Sequence, residues 1–306
     1  MEGHRKNTYL ISTASMLDKA TLPQALRWRI EDHARLARDT GFDGIELWPQ
    51  RIHPLRQIKQ DNISSDERAS IHSLHQSVRQ SAWRIRSLRE AKREVQKAFF
   101  LPEINNSLQY MDKLFEVIGN VPAVFVKETP EKYFVNTLFT ERLIQPGAEA
   151  AQLWTASKPG QFVTAARNRG FTHIALDTHH LRGRHSKTGE ENPFQRWRDT
   201  VPAFLPDTKE LHIGIGRSDD KTTDGLTAHM EAKEMLYGSF ASRYQQTDLA
   251  RMLQLIHTSG WRGRVVIEMR PAVYKKIIGQ KGFMTLSDLH QVYEKIRGTL
   301  KDIFGD

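Results

Sequence analysis

Four short apolar runs in this chain each carry, near the C-terminal end, a side chain able to bind a metal or move a proton: Glu128 in VFVKET, Asp177 in HIALDT, His212 in KELHIG and Glu268 in RVVIEM. A parallel strand buried on both faces reads as a continuous Val/Ile/Leu run, so a charged group at its end is leaving the core for a pocket. Three carboxylates and one imidazole at such run ends constrain the fold more than any other pattern here. They point to one rim at which the C-terminal ends of parallel strands meet.

The rest of the chain alternates in the way such a rim requires. Residues 8–15 read as a first strand, and 23–40 as a helix with Leu26, Ile30, Ala34 and Ala37 on one face, stopped by Gly41. GIELWP at 44–49 is the second strand and ASIHSLHQ at 69–76 the third. KAFFLPE at 97–103 reads as the fourth and PAVFVKET at 122–129 as the fifth. THIALDT, KELHIGI and RVVIEMR supply strands six to eight, with helices at 159–169 and 247–258 ending at Gly170 and Gly260. TLSDLHQVYEKIRGTLKDIF closes the chain as a helix that Thr285 or Ser287 can cap. Eight strands with intervening helices predict an α/β fold, a (β/α)8 TIM barrel, as one domain over residues 1–306 with a helical tail from about residue 283.

Period-two geometry sorts the polar residues. Glu128 shares a face with Val126 and Val124, Asp177 with Ala175, and Glu268 with Val266, while His212 lies opposite Leu211 and Ile213. All four can converge. On the third strand, His75 shares the face of Ser73 and His72 that of Leu74, which makes His75 the pocket residue if the apolar face packs on helices. Glu46 and Trp48 share a face at the end of strand two, and Arg270 follows Glu268 by two residues, placed to clamp an anionic group.

Composition bounds the partners. In 306 residues, 45 Lys+Arg exceed 36 Asp+Glu, a net charge of +9 that favours anionic ligands such as phosphorylated metabolites or nucleic acid. The absence of cysteine excludes disulfides and thiolate chemistry, is compatible with a cytoplasmic location, and restricts any metal to N and O ligands. No run of about eighteen apolar residues occurs, so no membrane association is expected. The basic stretch SVRQSAWRIRSLREAKREVQK spreads its charges around a helix with Glu90 and Glu94 among them, the pattern of a solvated outer helix rather than a phosphate-binding stripe. GIGRSDDKTTDG and GRHSKTGEENP carry no phosphate-loop signature and read as loops over the rim.

GFDGIELWP after a first amphipathic helix, SLHQSV, a Glu followed by Thr-Pro, LDTHHL, LHIGIG and VIEMRP, in that order, resemble the xylose isomerase-like barrels, which include sugar (phosphate) isomerases/epimerases and, more distantly, endonuclease IV. The resemblance runs over about residues 8 to 271. It implies that Glu128, Asp177, His212 and Glu268 hold one divalent cation. It also implies that His180, on the D-x-x-H position after Asp177, contacts substrate or a second metal, and that His75 fills the strand-three histidine position. The sequence departs from the endonuclease pattern at Leu101, where a strand-four histidine is expected, and in its late Asp-x-His pair, for which Asp224 and His229 have a different spacing.

The donor set carries its own chemistry. Three carboxylates and an imidazole suit Mn²⁺, Mg²⁺ or Co²⁺, with Zn²⁺ admissible, and leave positions for two substrate oxygens. A hydroxy-ketone chelated there would lose a carbon-bound proton to a carboxylate, with Glu128 and Glu268 as the catalytic pair. Return of that proton to the same carbon gives epimerisation, and to its neighbour gives isomerisation. His75, His180, Glu46, Trp48 and Arg270 are the expected substrate contacts, and a small sugar or sugar phosphate is the expected partner, with homo-oligomer formation left open. Abasic-site cleavage and a non-catalytic sugar-binding barrel are the two alternatives.

Overall fold

The computed structural model describes residues 6–18, 20–21, 28–48, 71–76, 124–127, 141–146, 158–182, 197–216, 226–238 and 247–305. Eight parallel strands close into a barrel in chain order: β1 (Thr8–Ser12), β2 (Gly44–Leu47), β3 (Ile71–Gln76), β4 (Val124–Lys127), β5 (Glu141–Ile144), β6 (His173–Asp177), β7 (Thr208–Gly214) and β8 (Arg264–Glu268). Closure runs through β1 and β8, with Leu10 opposite Val266 and Ile11 opposite Ile267.

The middle of the barrel differs from the expected strand count. β3 pairs directly with Val124–Lys127, so that run is the fourth stave and not the fifth. The run at 97–103 lies outside the described residues, and this pairing leaves it no place between them. The fifth stave is ERLI at 141–144, in register with Val124–Lys127 on one side and with His173 and Ile174 on the other. Its two leading charges disguise it. Arg142 donates from Nε to the Gly170 carbonyl at 2.6 Å on the outside, and Glu141 meets Arg264 at 2.6 Å.

The helices are α1 (Ile30–Asp39), α2 (Pro159–Asn168), α3 (Trp197–Phe204), α4 (Leu226–Tyr237), α5 (Asp248–Thr258), α6 (Pro271–Ile277) and α7 (Leu286–Phe304). On α1 the buried face is Ile30, His33, Leu36 and Ala37, so His33 rather than Ala34 faces the core. α2 stops before Gly170, at φ +89°, and α5 before Gly260, at φ +73°, left-handed turns that glycine adopts without a Cβ clash. Thr285 caps α7 by accepting from the Asp288 amide while the Asp288 carboxylate accepts from Thr285, a reciprocal capping box. No described helix is long and apolar enough to cross a membrane.

Two apolar layers follow from strand parity. Ile45, Ile174, Leu176, Leu211, Ile213, Val265 and Ile267 face outward into the main core with the helices. Leu143 and Ala175 form a separate small cluster. The inward positions of β7 and β8 are largely polar, which sets up the site.

Candidate functional site

Glu210, His212 and Gly214 share the inward face of β7, and Arg264, Val266 and Glu268 that of β8, with Gly214 in register with Glu268. His212 is wholly buried among three carboxylates. Its Nδ1 lies 2.9 Å from Glu268 Oε1, and its Nε2 lies 2.8 Å from Glu210 Oε1 and 3.3 Å from Glu46 Oε2. Glu46 and Glu210 are fully buried, whereas the Glu268 side chain keeps 18% of its surface exposed, so Glu268 marks the open side of the cluster.

The neighbours fix these groups. Trp48 donates from Nε1 to Glu46 Oε1 at 2.8 Å, and its own backbone amide donates to Thr13 Oγ1 at 2.8 Å. Glu210 accepts from Arg264 Nε at 2.9 Å and from Ser73 Oγ at 3.3 Å. Asp177, level with His212 in the sheet, accepts from the backbone amides of His179 at 2.6 Å and His180 at 3.3 Å. Its other oxygen accepts from Gln145 Nε2 at the end of β5, and His180 Nε2 stands 3.4 Å away.

Burial opposes the charge on His212, but Glu46, with the hydrogen bonds the ring makes to Glu210 and Glu268, outweighs it and raises the imidazole well above its ordinary pKa. Burial likewise raises Asp177, aided by the charge of Glu268 and opposed by His180. Burial also works against ionised Glu210, yet its hydrogen bond to His212 and the charges of His212 and Arg264 leave it below the usual carboxylate range. His179 is pushed down to about 3 by burial, with the positive charges of His180, Arg270 and Arg182 adding to it.

Glu46, His212 and Glu268 each offer a ligand atom, all within 4.8 Å of one another. Among the described residues, four acidic groups here, Glu46, Asp177, Glu210 and Glu268, outnumber the basic groups paired with them, His180, His212 and Arg264, an imbalance that a divalent ion would offset. The donor set is oxygen-rich with one imidazole, as hard or borderline divalent ions prefer, and a His212 that ligates must first give up a proton. The residues present therefore fit a divalent cation.

The structure gathers His212 and Glu268 as the sequence pattern expects and adds Glu46, expected only as a substrate contact. Asp177 stands beside this group with its oxygens engaged by Gln145 and the following turn. Arg270 reaches back to the Ile215 carbonyl at 3.3 Å and contributes positive charge near His179. His75 lies on β3 opposite Val126, and its side chain is outside the described residues, as is the whole of Glu128. Glu210 and Gln145 escaped the sequence pattern. Parity alone could have found Glu210, two residues before His212 in KELHIG.

Neither a protein-family model nor a curated protein matches the sequence. Among solved structures, the chain is similar over 98% of its length to the whole of a protein described as a sugar phosphate isomerase/epimerase from Anabaena variabilis, at 12% identity and a TM-score of 0.50. A looser similarity covers 96% of the chain and 98% of a protein described as the probable 3-DHS dehydratase AsbF from Bacillus anthracis, at 11% identity and a TM-score of 0.47. Likeness at such identities concerns fold alone. It agrees with the closed parallel sheet in identifying the architecture as a (β/α)8 TIM barrel.

Proposed function

We propose that this chain is a divalent-metal-dependent isomerase or epimerase of a sugar or sugar phosphate. The observation that carries the reading is the convergence of Glu46, His212 and Glu268 within 4.8 Å at the C-terminal ends of three strands, the face where barrels of this kind hold their catalytic groups. The Anabaena variabilis protein of like fold, described as a sugar phosphate isomerase/epimerase, supports the same substrate class. A net charge of +9 suits an anionic substrate.

A divalent ion held by Glu46, His212 and Glu268, with Asp177 and Glu128 as further candidate ligands, would supply positive charge where a substrate carbonyl becomes an enolate oxygen. The chain's own groups do the rest. Glu268, the partly exposed member of the cluster, accepts the carbon-bound proton, and Glu128 is the candidate for returning it. Trp48 steadies Glu46, and His180 with Arg270 line the approach to substrate hydroxyl or phosphate groups.

Calorimetric titration with Mn²⁺, paired with NMR observation of solvent deuterium entering ketose and ketose-phosphate carbons, tests this. One ion per chain is expected, with exchange lost in Glu268→Gln and ion binding lost in His212→Ala. Absence of a saturable ion, or exchange at the wild-type rate in Glu268→Gln, overturns the proposal.

A further inference from the structure

Beneath the mouth, a column of charge runs down the inside of the barrel: Glu268, His212, Glu210, Arg264 and Glu141, each within 2.9 Å of the next. Barrel interiors are ordinarily filled by layers of apolar branched side chains. A charged column there needs a reason, and Glu210 is its hinge. One of its oxygens takes Arg264 and the other takes His212 Nε2 and the Ser73 hydroxyl, so the carboxylate has no rotational freedom left.

From this geometry we infer that Glu210 is a positioning residue that holds the His212 proton on Nε2 and so leaves Nδ1 as the donor atom facing the mouth. A neutral imidazole carries one N–H, and since both nitrogens face a carboxylate, an ion that takes one nitrogen leaves the N–H at the other. Nε2 faces Glu210, its nearer carboxylate, at 2.8 Å and sealed from solvent. Nδ1 faces Glu268, the cluster's partly exposed carboxylate, on the side from which an ion or substrate enters. A carboxylate that orients a ligating histidine from behind sets both ring tilt and basicity. Arg264 and Ser73 hold Glu210, and Glu141 holds Arg264, so the bottom of the barrel braces the rim.

The inference rests on His212 being a metal ligand, and the test separates the two. In wild-type protein saturated with Zn²⁺, which is diamagnetic, long-range ¹H–¹⁵N correlation of the His212 ring should show hydrogen on Nε2 and none on Nδ1. Hydrogen on Nδ1 overturns the inference without any substitution. In Glu210→Gln, Arg264 can only donate and so takes the amide oxygen. The amide NH₂ then faces Nε2 and opposes a proton there, which shifts the ring proton toward Nδ1, where it competes with the ion. Mn²⁺ affinity should fall by about ten- to a hundredfold. A purely structural ion pair would lose stability in this variant without moving the ring proton. Should His212→Ala bind Mn²⁺ as wild type does, the metal reading fails and the inference with it. Should His212→Ala lose the ion while Glu210→Gln keeps both tautomer and affinity, only the inference fails.

Discussion

Arg182 and Glu231 form an ion pair sealed inside the protein, with 3% and 0% of their side-chain surface exposed. Arg182 also donates from Nε to the Thr178 carbonyl at 2.6 Å and from Nη2 to the Gly214 carbonyl at 2.8 Å, and Glu231 accepts from the Gly216 amide at 2.7 Å. The pair thereby ties the turn after β6 and the end of β7 to α4, directly behind Asp177 and His212. Removing one partner strands the other as a buried charge, so Glu231→Leu should cost ~3–5 kcal/mol. The double variant Arg182→Met/Glu231→Leu should recover much of that, because two apolar groups leave no uncompensated charge. Urea denaturation of the single and double variants measures both. A loss under ~1 kcal/mol for Glu231→Leu would mean the pair behaves as a solvent-screened one.

Gly263, just before β8, has no room for a side chain. A Cβ there would lie 2.5 Å from the Trp261 ring and 2.7 Å from the Lys209 carbonyl oxygen, and the second contact is backbone of the neighbouring strand. Gly263→Ala must push β7 and β8 apart where Arg264 begins its reach to Glu210, and it should destabilise the fold by ~1–3 kcal/mol. Gly282 has nothing within 4 Å of the same position, so Gly282→Ala should be neutral or stabilising by up to ~1 kcal/mol. Thermal unfolding of the two variants side by side gives the contrast, and equal losses in both would contradict the steric account.

The rim was legible because its carboxylates and imidazole interrupt apolar runs: Asp177, His212 and Glu268 announce themselves at the ends of buried strands. β5 was not. ERLI opens with two charges whose partners, Arg264 and the Gly170 carbonyl, come from distant segments that no local pattern reveals. Glu210 stayed hidden for a related reason. A carboxylate inside an apolar run reads as an edge or a break, and only its parity with His212 places it within the barrel. His33 shows the same limit on a helix, since its buried ring packs near Trp28 where a hydrophobicity pattern favoured Ala34. In each case the residue is polar and its burial depends on a partner remote in sequence.

Two half-buried histidines at the lower end of the barrel make stability depend on pH. Burial lowers the pKa of His72, with Asp43 opposing and Arg264 assisting, and burial assisted by Lys209 lowers that of His173. In the unfolded chain each titrates near pH ~6.5, so below that pH the unfolded state binds protons that the native state resists. The stability these neutral rings contribute is present above ~6.5 and is lost as pH falls through their lowered native values. His72→Gln/His173→Gln should therefore lose less stability than wild type between about pH 7 and pH 5, as read by urea midpoints at both values. Parallel declines in the two proteins would show that other groups carry the dependence.

Trp48 and Trp261 make the same kind of hydrogen bond at opposite ends of the barrel. Trp48 Nε1 donates to Glu46 Oε1 at 2.8 Å on the rim, and Trp261 Nε1 donates to the Thr208 carbonyl at 2.9 Å where β7 begins. Replacing either by Phe keeps most of the ring's contacts and removes one donor, which should cost ~1 kcal/mol of stability in both cases. The functional consequences should diverge. Glu46 is held less firmly beside His212 once this bond is lost, so Trp48→Phe should weaken Mn²⁺ binding by about tenfold. Trp261→Phe should leave it unchanged. Calorimetric titration of the two variants decides the point, because a shared loss of affinity would reflect general loosening. Unchanged affinity in both would mean that Glu46 needs no anchor to serve as a ligand.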